Sequence, residues 1–333
     1  MNHFGRALSI QIFGESHGSM LGVLIDGCPP GIALQEADFL TDLKRRQAGA
    51  KGTTPRVEQD LPLLKSGIFN GFTTGAPLGI FFENQNIKSA DYSKIRDVYR
   101  PGHADFVADK KFGGYNDYRG GGHFSGRLTL ALTAAGVVAK KIYPQLKITA
   151  QLIEAGGSPN IEEAIEMAIA TQDSIGGIVE CRACHVPLGL GEPFFDSVES
   201  MLAHIVFAIP AIKGIEFGSG FAAARLRGST HNDAFTNAEG HTATNHAGGI
   251  NGGISNGNEL VFRVAVKPTS STPQTQQTYN TKTGQVESFA IGGRHDLCIA
   301  LRVPPVLEAV TAIVLADLML QTKGKASFLK ERE

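Results

Sequence analysis

Between Ser125 and Tyr143 the chain reads SGRLTLALTAAGVVAKKIY, a run whose small and apolar residues cover several faces of a helix instead of one stripe. Such a helix cannot lie on a surface. It has to be buried between layers, and its small side chains let a neighbour approach closely. The remaining elements must therefore supply cover on both sides of it.

Segments suited to that cover are visible on either side. Leu8 to Phe13 and Leu21 to Ile25 read as strands joined by a polar, glycine-containing turn, and Gly67 to Glu83 reads as strand and turn. Gly176 to His185, Gly214 to Phe217 and Glu259 to Val266 are further strand candidates. Gln35 to Arg46 has the spacing of an amphipathic helix, with Ala37, Leu40 and Leu43 on one stripe and Lys44, Arg45 and Arg46 at the end where cations suit the dipole. Ile161 to Thr171, Phe195 to Phe207 and Val306 to Gln321 read as helices, the last announced by Pro304 and Pro305. Strands and helices without regular alternation argue for an α+β fold with mainly antiparallel sheets. A faint echo between GVLIDGCPPGIAL, from Gly22, and GIVECRACHVPLGL, from Gly177, suggests a duplicated half.

Composition narrows the function. The 333 residues are 42% hydrophobic and 19% charged, enough for a sizeable core, and the formal net charge of −1 gives no overall field toward nucleic acid or an anionic membrane. An anionic ligand would need a local basic cluster. The N-terminal segment Met1 to Phe13 lacks a basic stretch followed by a long apolar run, and no uninterrupted stretch of 18 apolar residues occurs, so a cytoplasmic protein is expected. Cys28, Cys181, Cys184 and Cys298 are too sparse for a disulfide framework and read as packing thiols. Forty glycines cluster around polar residues, a pattern that lets backbone approach a ligand.

Two short patterns suggest other chemistry. Gly14-Glu15-Ser16-His17-Gly18 fits the G-x-S-x-G elbow of serine hydrolases, but a second strand follows where that motif needs a helix. Cys181-Arg182-Ala183-Cys184-His185 fits a haem attachment site, yet it falls in a strand-like run, and no second cysteine pair completes a zinc site. The basic residues are more informative. Lys44, Arg45, Arg46, Lys51 and Arg56 crowd together, and Arg119, Arg127, Lys267 and Arg294 lie inside glycine-rich or polar motifs, where small neighbours let a guanidinium reach carboxylate or phosphate. The loop Arg119 to Arg127 runs straight into the small-residue helix, which places N–H groups and a positive helix end at one anion site. His17, His103, His123 and His295 sit in polar, glycine-containing contexts suited to proton transfer near neutral pH, whereas His185 and His204 sit in apolar ones. A non-catalytic binder of phosphorylated metabolites would share much of this pattern.

Taken together, FGESHG with LIDGCPPG, DLKRRQAG through TTPRVEQD, VYRPGHAD, DYRGGGHFSGRLT, QDSIGG with GLGEP, AIKGIEFGSGF, NHAGGINGGIS, KPTSS and GRHDLC resemble, in order and approximate spacing, the chorismate synthase family. The resemblance covers almost the whole chain, read as one domain over residues 1–333. It implies a β-α-β sandwich with helices between two antiparallel sheets, a homotetramer, and no nucleic-acid or membrane partner. The implied reaction is the anti 1,4-elimination of phosphate from 5-enolpyruvylshikimate 3-phosphate to chorismate, with reduced FMN (FMNH2) as cofactor and NADPH as an indirect reductant. Carried over by position, it gives His17 and His103 proton-handling roles and places Ser16, Ser125 and Asp296 in the catalytic group. Flavin contacts are implied at His123, Phe124 and Ser125, at Pro210 and Ala211, at Gly252, at Lys267, Pro268, Thr269, Ser270 and Ser271, and at Arg294. Arg45, Arg46 and Lys51 fall on the anion-binding side; Arg127, from the glycine loop itself, is expected to hold an anion or an acidic partner there. This chain departs from the family pattern at His123-Phe124, where an Arg and a small residue are usual, and at Gln47-Ala48 and Leu297. These departures bear on flavin affinity and loop geometry more than on reaction class.

Overall fold

The computed structural model describes residues 2–54, 58–85, 97–291 and 295–330, with side chains as far as Thr322. Two antiparallel sheets enclose two long helices. In spatial order the first sheet runs His3–Phe4, Ser9–Gly14, Met20–Asp26, Leu78–Glu83 and Leu63–Ser66, and the second runs Ile212–Phe217, Leu260–Val266, Gly177–Cys184 and Lys147–Ala155. Helix Thr129–Ile142 packs on the first sheet, helix Val303–Lys330 packs on the second, and the two helices pack on each other. The result is the expected sandwich.

The strand at the middle of the first sheet shows why its face turns inward. Leu21, Val23 and Ile25 are buried while Met20 and Leu24, on the other side of the pleat, are exposed. Each fully buried aliphatic side chain of this kind contributes about 1.5–3 kcal/mol. Every residue from Thr129 to Ala139 is buried, as the small-residue run requires. At the helix crossing, a Cβ on Gly136 would stand 2.3 Å from Ala309 Cβ, so the two backbones touch where only glycine fits.

The two halves share a topology. Ser9–Gly14, Met20–Asp26, helix Ala37–Arg46, Leu63–Ser66, Leu78–Glu83 and helix Thr129–Ile142 follow one another in the first half. Lys147–Ala155, Gly177–Cys184, helix Val198–Val206, Ile212–Phe217, Leu260–Val266 and helix Val303–Lys330 follow in the second; short helices are inserted in both, Asp105–Lys111 in the first and Ile161–Thr171 and Gly228–His231 in the second. In both sheets the four strands lie in the spatial order first, second, fourth, third. The sequence echo at Gly22 and Gly177 falls on the second strand of each half.

The last helix is long and apolar enough to cross a membrane, but 89% of its apolar window is buried in protein. Its two acidic residues in that stretch are inward clamps. Asp317 Oδ1 accepts N–H bonds from Ala7 at 2.7 Å and Leu8 at 2.8 Å, and Glu308 Oε1 accepts one from Ala150 at 3.0 Å. The helix begins at Val303, so Pro304 and Pro305 lie in its first turn, where a missing N–H costs nothing. The largest elements not foreseen are the strand Lys147–Ala155, whose Ile148, Ala150 and Leu152 alternate with polar residues, the short helix Asp105–Lys111, and the hairpin Gln276–Asn280 with Gln285–Phe289.

Candidate active site

The seam between the halves holds two cavities that share a wall. The larger, about 820 Å³, is bounded by the N-terminal arm Asn2 to Phe4, the strand residues Ile10 and Ile12, the glycine loop at Gly120 and His123 to Gly126, the end of helix Val198–Val206, and Lys267 to Ser271. The smaller, about 190 Å³, is reached through Gly120, Ser125, Gly126, Pro210, Thr269 and Ile299, which line both.

Their chemistry differs. The large cavity has apolar walls, including Phe4, Ile10, Ile12, Phe124, Leu132 and Ile205, with Lys213, Lys267 and four histidines, and no carboxylate among its lining residues. Lys267 donates to Gly102 O at 2.9 Å and Ser270 Oγ at 2.7 Å. Partial burial and the neighbouring Lys213 ammonium lower its pKa. Two crowded ammonium groups in an apolar cleft suit a flat ligand with an anionic tail. Ala211 beside them has φ +75, a conformation uncommon outside glycine, and its carbonyl accepts the Lys267 N–H at 2.9 Å.

The small cavity is rich in charge, with Arg46, Arg100, Arg127 and Arg302 on its walls together with Glu58, Asp60 and Asp296. Asp60, itself at φ +53, accepts from Arg46 Nη2 at 3.1 Å and from Arg127 Nη1. Arg302 donates to Asp296 Oδ2 at 3.1 Å and to Arg46 O at 3.1 Å. Burial pushes the Arg46 guanidinium down to about 9, with Arg302 and Arg127 adding to the effect and Asp60 opposing it. Yet Arg46 Nε, Arg127 Nη2 and the Thr269 hydroxyl are buried without a hydrogen-bond partner among the described residues. Buried donors of this kind are normally satisfied, and three on one small cavity call for a multi-oxygen anion.

Local structure explains how the side chains arrive. Ser125 caps the turn Gly126–Leu128 by accepting the Arg127 N–H, and that turn runs into helix Thr129–Ile142, so Arg127 leaves the helix entrance facing the cavity. Gly120 has φ +60, and a Cβ there would stand 2.3 Å from the His17 ring and 2.8 Å from Ser16 Oγ. The glycine loop therefore closes over the Ser16-His17 turn. His103 faces the large cavity with Nδ1 2.6 Å from Asp105 Oδ1.

Most of the predicted residues meet at the two cavities. His103, His123, Phe124, Ser125, Pro210, Ala211, Lys267, Pro268, Thr269, Ser270 and Ser271 line the large cavity; Ser16, Arg46, Ser125, Arg127, Pro210, Thr269 and Asp296 line the small one. His17 is buried beneath Gly120 at their junction. Three others stand elsewhere. Successive helical residues point about 100° apart, so with Arg46 inward Arg45 turns outward and pairs with Glu308 at 2.7 Å. Lys51 is exposed and pairs with Glu166 at 2.6 Å, and Gly252 sits in the tight turn joining Ile250–Asn251 to Ile254–Ser255. Arg294 and Arg56 lie outside the described residues. His123 has both ring nitrogens engaged, Nδ1 donating to Gly14 O at 2.8 Å and Nε2 3.1 Å from Asn2 Oδ1, so it braces the arm that walls the large cavity.

Sequence reasoning missed Lys213, Arg302, Asp60 and Asp105. Arg302 was the most visible of these, a single cation in the apolar run LCIALRVPPV. The competing motifs lose their geometry. Ser16 lies between two antiparallel strands, not before a helix, and Cys181 is buried under the last helix beside Thr311 while Cys184 points to the opposite face of its strand.

Comparison with known proteins bears on this arrangement. The family profile described as chorismate synthase matches residues 8–320. A chorismate synthase of Chitinophaga pinensis is 66% identical over 321 residues, covering 96% of this chain and 97% of its own. One from Dehalococcoides mccartyi is 45% identical with the same coverage of each chain. A crystal structure of a chorismate synthase superposes with a TM-score of 0.73 at 25% identity, covering 96% of this chain and 93% of that one.

Proposed function

The chain belongs to the chorismate synthase family, and from that premise we propose that its two confluent cavities hold reduced FMN and 5-enolpyruvylshikimate 3-phosphate side by side. The reaction is the family's, an anti 1,4-elimination in which the substrate loses phosphate and a proton to give chorismate. One observation carries the assignment of the sites: among the described residues, a cavity of flavin size lined by no carboxylate opens into a small one where Arg46 Nε, Arg127 Nη2 and Thr269 Oγ1 have no hydrogen-bond partner. The flavin fits the first by size, by apolar walls and by the Lys213 and Lys267 ammonium groups available to its phosphate. Reduced FMN, when bound, supplies transient electron or charge donation that helps phosphate leave.

The chain's own residues do the rest. Arg46, Arg127 and Arg302 hold the substrate's anionic groups and offset the charge that grows on departing phosphate. Ser125 and the entrance of helix Thr129–Ile142 add N–H donors on the same side. His17, fixed under Gly120, and His103, facing the large cavity, exchange protons on the phosphate side and the flavin side respectively. Apolar walls from both halves exclude water and strengthen these charges. The proposal extends to a cytoplasmic homotetramer, supported by aromatic residues such as Phe194, Phe195 and Phe221, which stand largely exposed on one protomer.

An anaerobic assay with dithionite-reduced FMN tests the reading by following chorismate and phosphate together. Stoichiometric release of both, absent with oxidised FMN, is expected. Tight substrate binding without turnover would leave a metabolite-binding protein instead.

A further inference from the structure

Behind His103, on the wall of the large cavity, lies a charge network of Arg100 and Asp105. Asp105, buried at the start of helix Asp105–Lys111, takes the Arg100 fork on both oxygens, Nη2 to Oδ1 at 2.7 Å and Nε to Oδ2 at 2.7 Å. The same Oδ1 lies 2.6 Å from His103 Nδ1. Arg100 in turn donates to Ser271 Oγ at 3.2 Å, which ties the network to the loop Lys267 to Ser271 on the far wall. His103 Nε2 has no protein hydrogen-bond partner among the described residues, and a Cβ on Gly121 would stand 3.4 Å from it.

We infer that Asp105, locked by Arg100, is a positioning residue that fixes the His103 tautomer, with the proton on Nδ1 and Nε2 left as the atom that exchanges protons in the large cavity. This rests on the reading of His103 as a proton-handling residue. The competing arrangement is visible in the same triangle, because Arg100 Nη2 is also 3.0 Å from Nδ1. If Arg100 donated there, the ring proton would sit on Nε2, and the Asp105 carboxylate would face a nitrogen lone pair at 2.6 Å. That contact is repulsive between an anion and a lone pair, whereas Nδ1–H to carboxylate is a short charge-assisted bond. Burial raises the Asp105 pKa, but the hydrogen bonds from Arg100 and His103 outweigh it and hold the carboxyl well below the usual range, so it is an anion. A fixed carboxylate behind an imidazole sets ring orientation and tautomer and supports the imidazolium when it forms.

The test is a double-mutant cycle of H103A, D105N and both together, assayed anaerobically at saturating reduced FMN and substrate, with FMN affinity measured separately. D105N is expected to lower kcat by about 100-fold or more, with KM and FMN affinity within about threefold. The double variant should be no slower than H103A alone, since a residue acting only through His103 has nothing left to position. Losses that multiply would overturn the positioning role while leaving His103 catalytic. Wild-type turnover in H103A would remove the reading of His103, and this inference with it. Nitrogen-15 shifts of His103 in the unmutated enzyme give a readout that needs no variant to fold. A proton on Nδ1 is expected, and one on Nε2 refutes the assignment.

Discussion

Replacing Arg127 by Met isolates the contribution of one guanidinium to the anion trap, because Met keeps the stem and loses the charge. Arg127 spends Nη1 on Asp60 and Nε on Asn84, and its buried Nη2 has no hydrogen-bond partner among the described residues. Truncating one side of a buried charge pair costs about 2–5 kcal/mol. Arg46 and Arg302 remain on the same cavity, and Asp60 keeps its bond to Arg46, which argues for the lower half of that range. We expect about 3 kcal/mol, or roughly 150-fold weaker substrate binding at 1.4 kcal/mol per tenfold. Calorimetric titration of substrate into enzyme carrying oxidised FMN measures this without turnover. A change below about threefold, in a variant shown to be folded, would mean that the open Nη2 is not aimed at substrate and that the small cavity is not the anion site.

Three further outcomes follow from the geometry. Gly120→Ala drives a methyl group to 2.3 Å from the His17 ring, so turnover should fall by about 100-fold through misplacement, and an unimpaired variant would show that His17 need not sit where the loop holds it. Substrate affinity should weaken above pH 9, where Arg46 begins to lose its proton, and the limb should vanish in Arg46→Met. With the folded value below the unfolded one, the unfolded chain binds more protons in that window, so stability without substrate gains with pH as anion binding is lost. Gly136→Ala pits a helix-propensity gain of about 1 kcal/mol against overpacking of about 1–3 kcal/mol at the Ala309 contact; a lowered melting temperature is expected, and a raised one would deny the close crossing.

The sandwich was legible because one run of residues, Ser125 to Tyr143, could not be satisfied by any exposed helix, and because the strands around Leu21 and Val179 bury one face of their pleat. Lys147–Ala155 escaped notice since its outward positions carry Lys147, Gln151 and Glu154, and its inward ones include a small alanine. Arg127 and Lys267 were singled out because a cation among small or polar neighbours can reach an anion, whereas Ser125 and Thr269 came only from the family resemblance; all four line the two cavities. Arg45 and Arg46 could not be told apart by composition, and only the helix phase separates the residue that meets Asp60 from the one that meets Glu308. His123 lines the large cavity, and its ring contacts with Gly14 O and Asn2, 109 and 121 residues away in sequence, are ones no local pattern could show.

The duplicated topology explains where the ligands can go. Each half buries one helix against its sheet, and the helices meet at Gly136 and Ala309, so the middle of the molecule is closed. The two cavities lie where helix ends and loops of the two halves face one another, beside strand residues Ile10 and Ile12. At that end helix Thr129–Ile142 presents its entrance, with Arg127 on it, and helix Val303–Lys330 presents its own, with Arg302 just before it. Two helix entrances converging on Arg46 concentrate positive potential that no backbone acceptor can quench, since the N–H groups of a first turn lack intrahelical partners. Asp60 and Asp296 hold the guanidinium groups apart without using all their donors. The close packing that seals the core and the anion trap are thus two consequences of the same pair of facing helices.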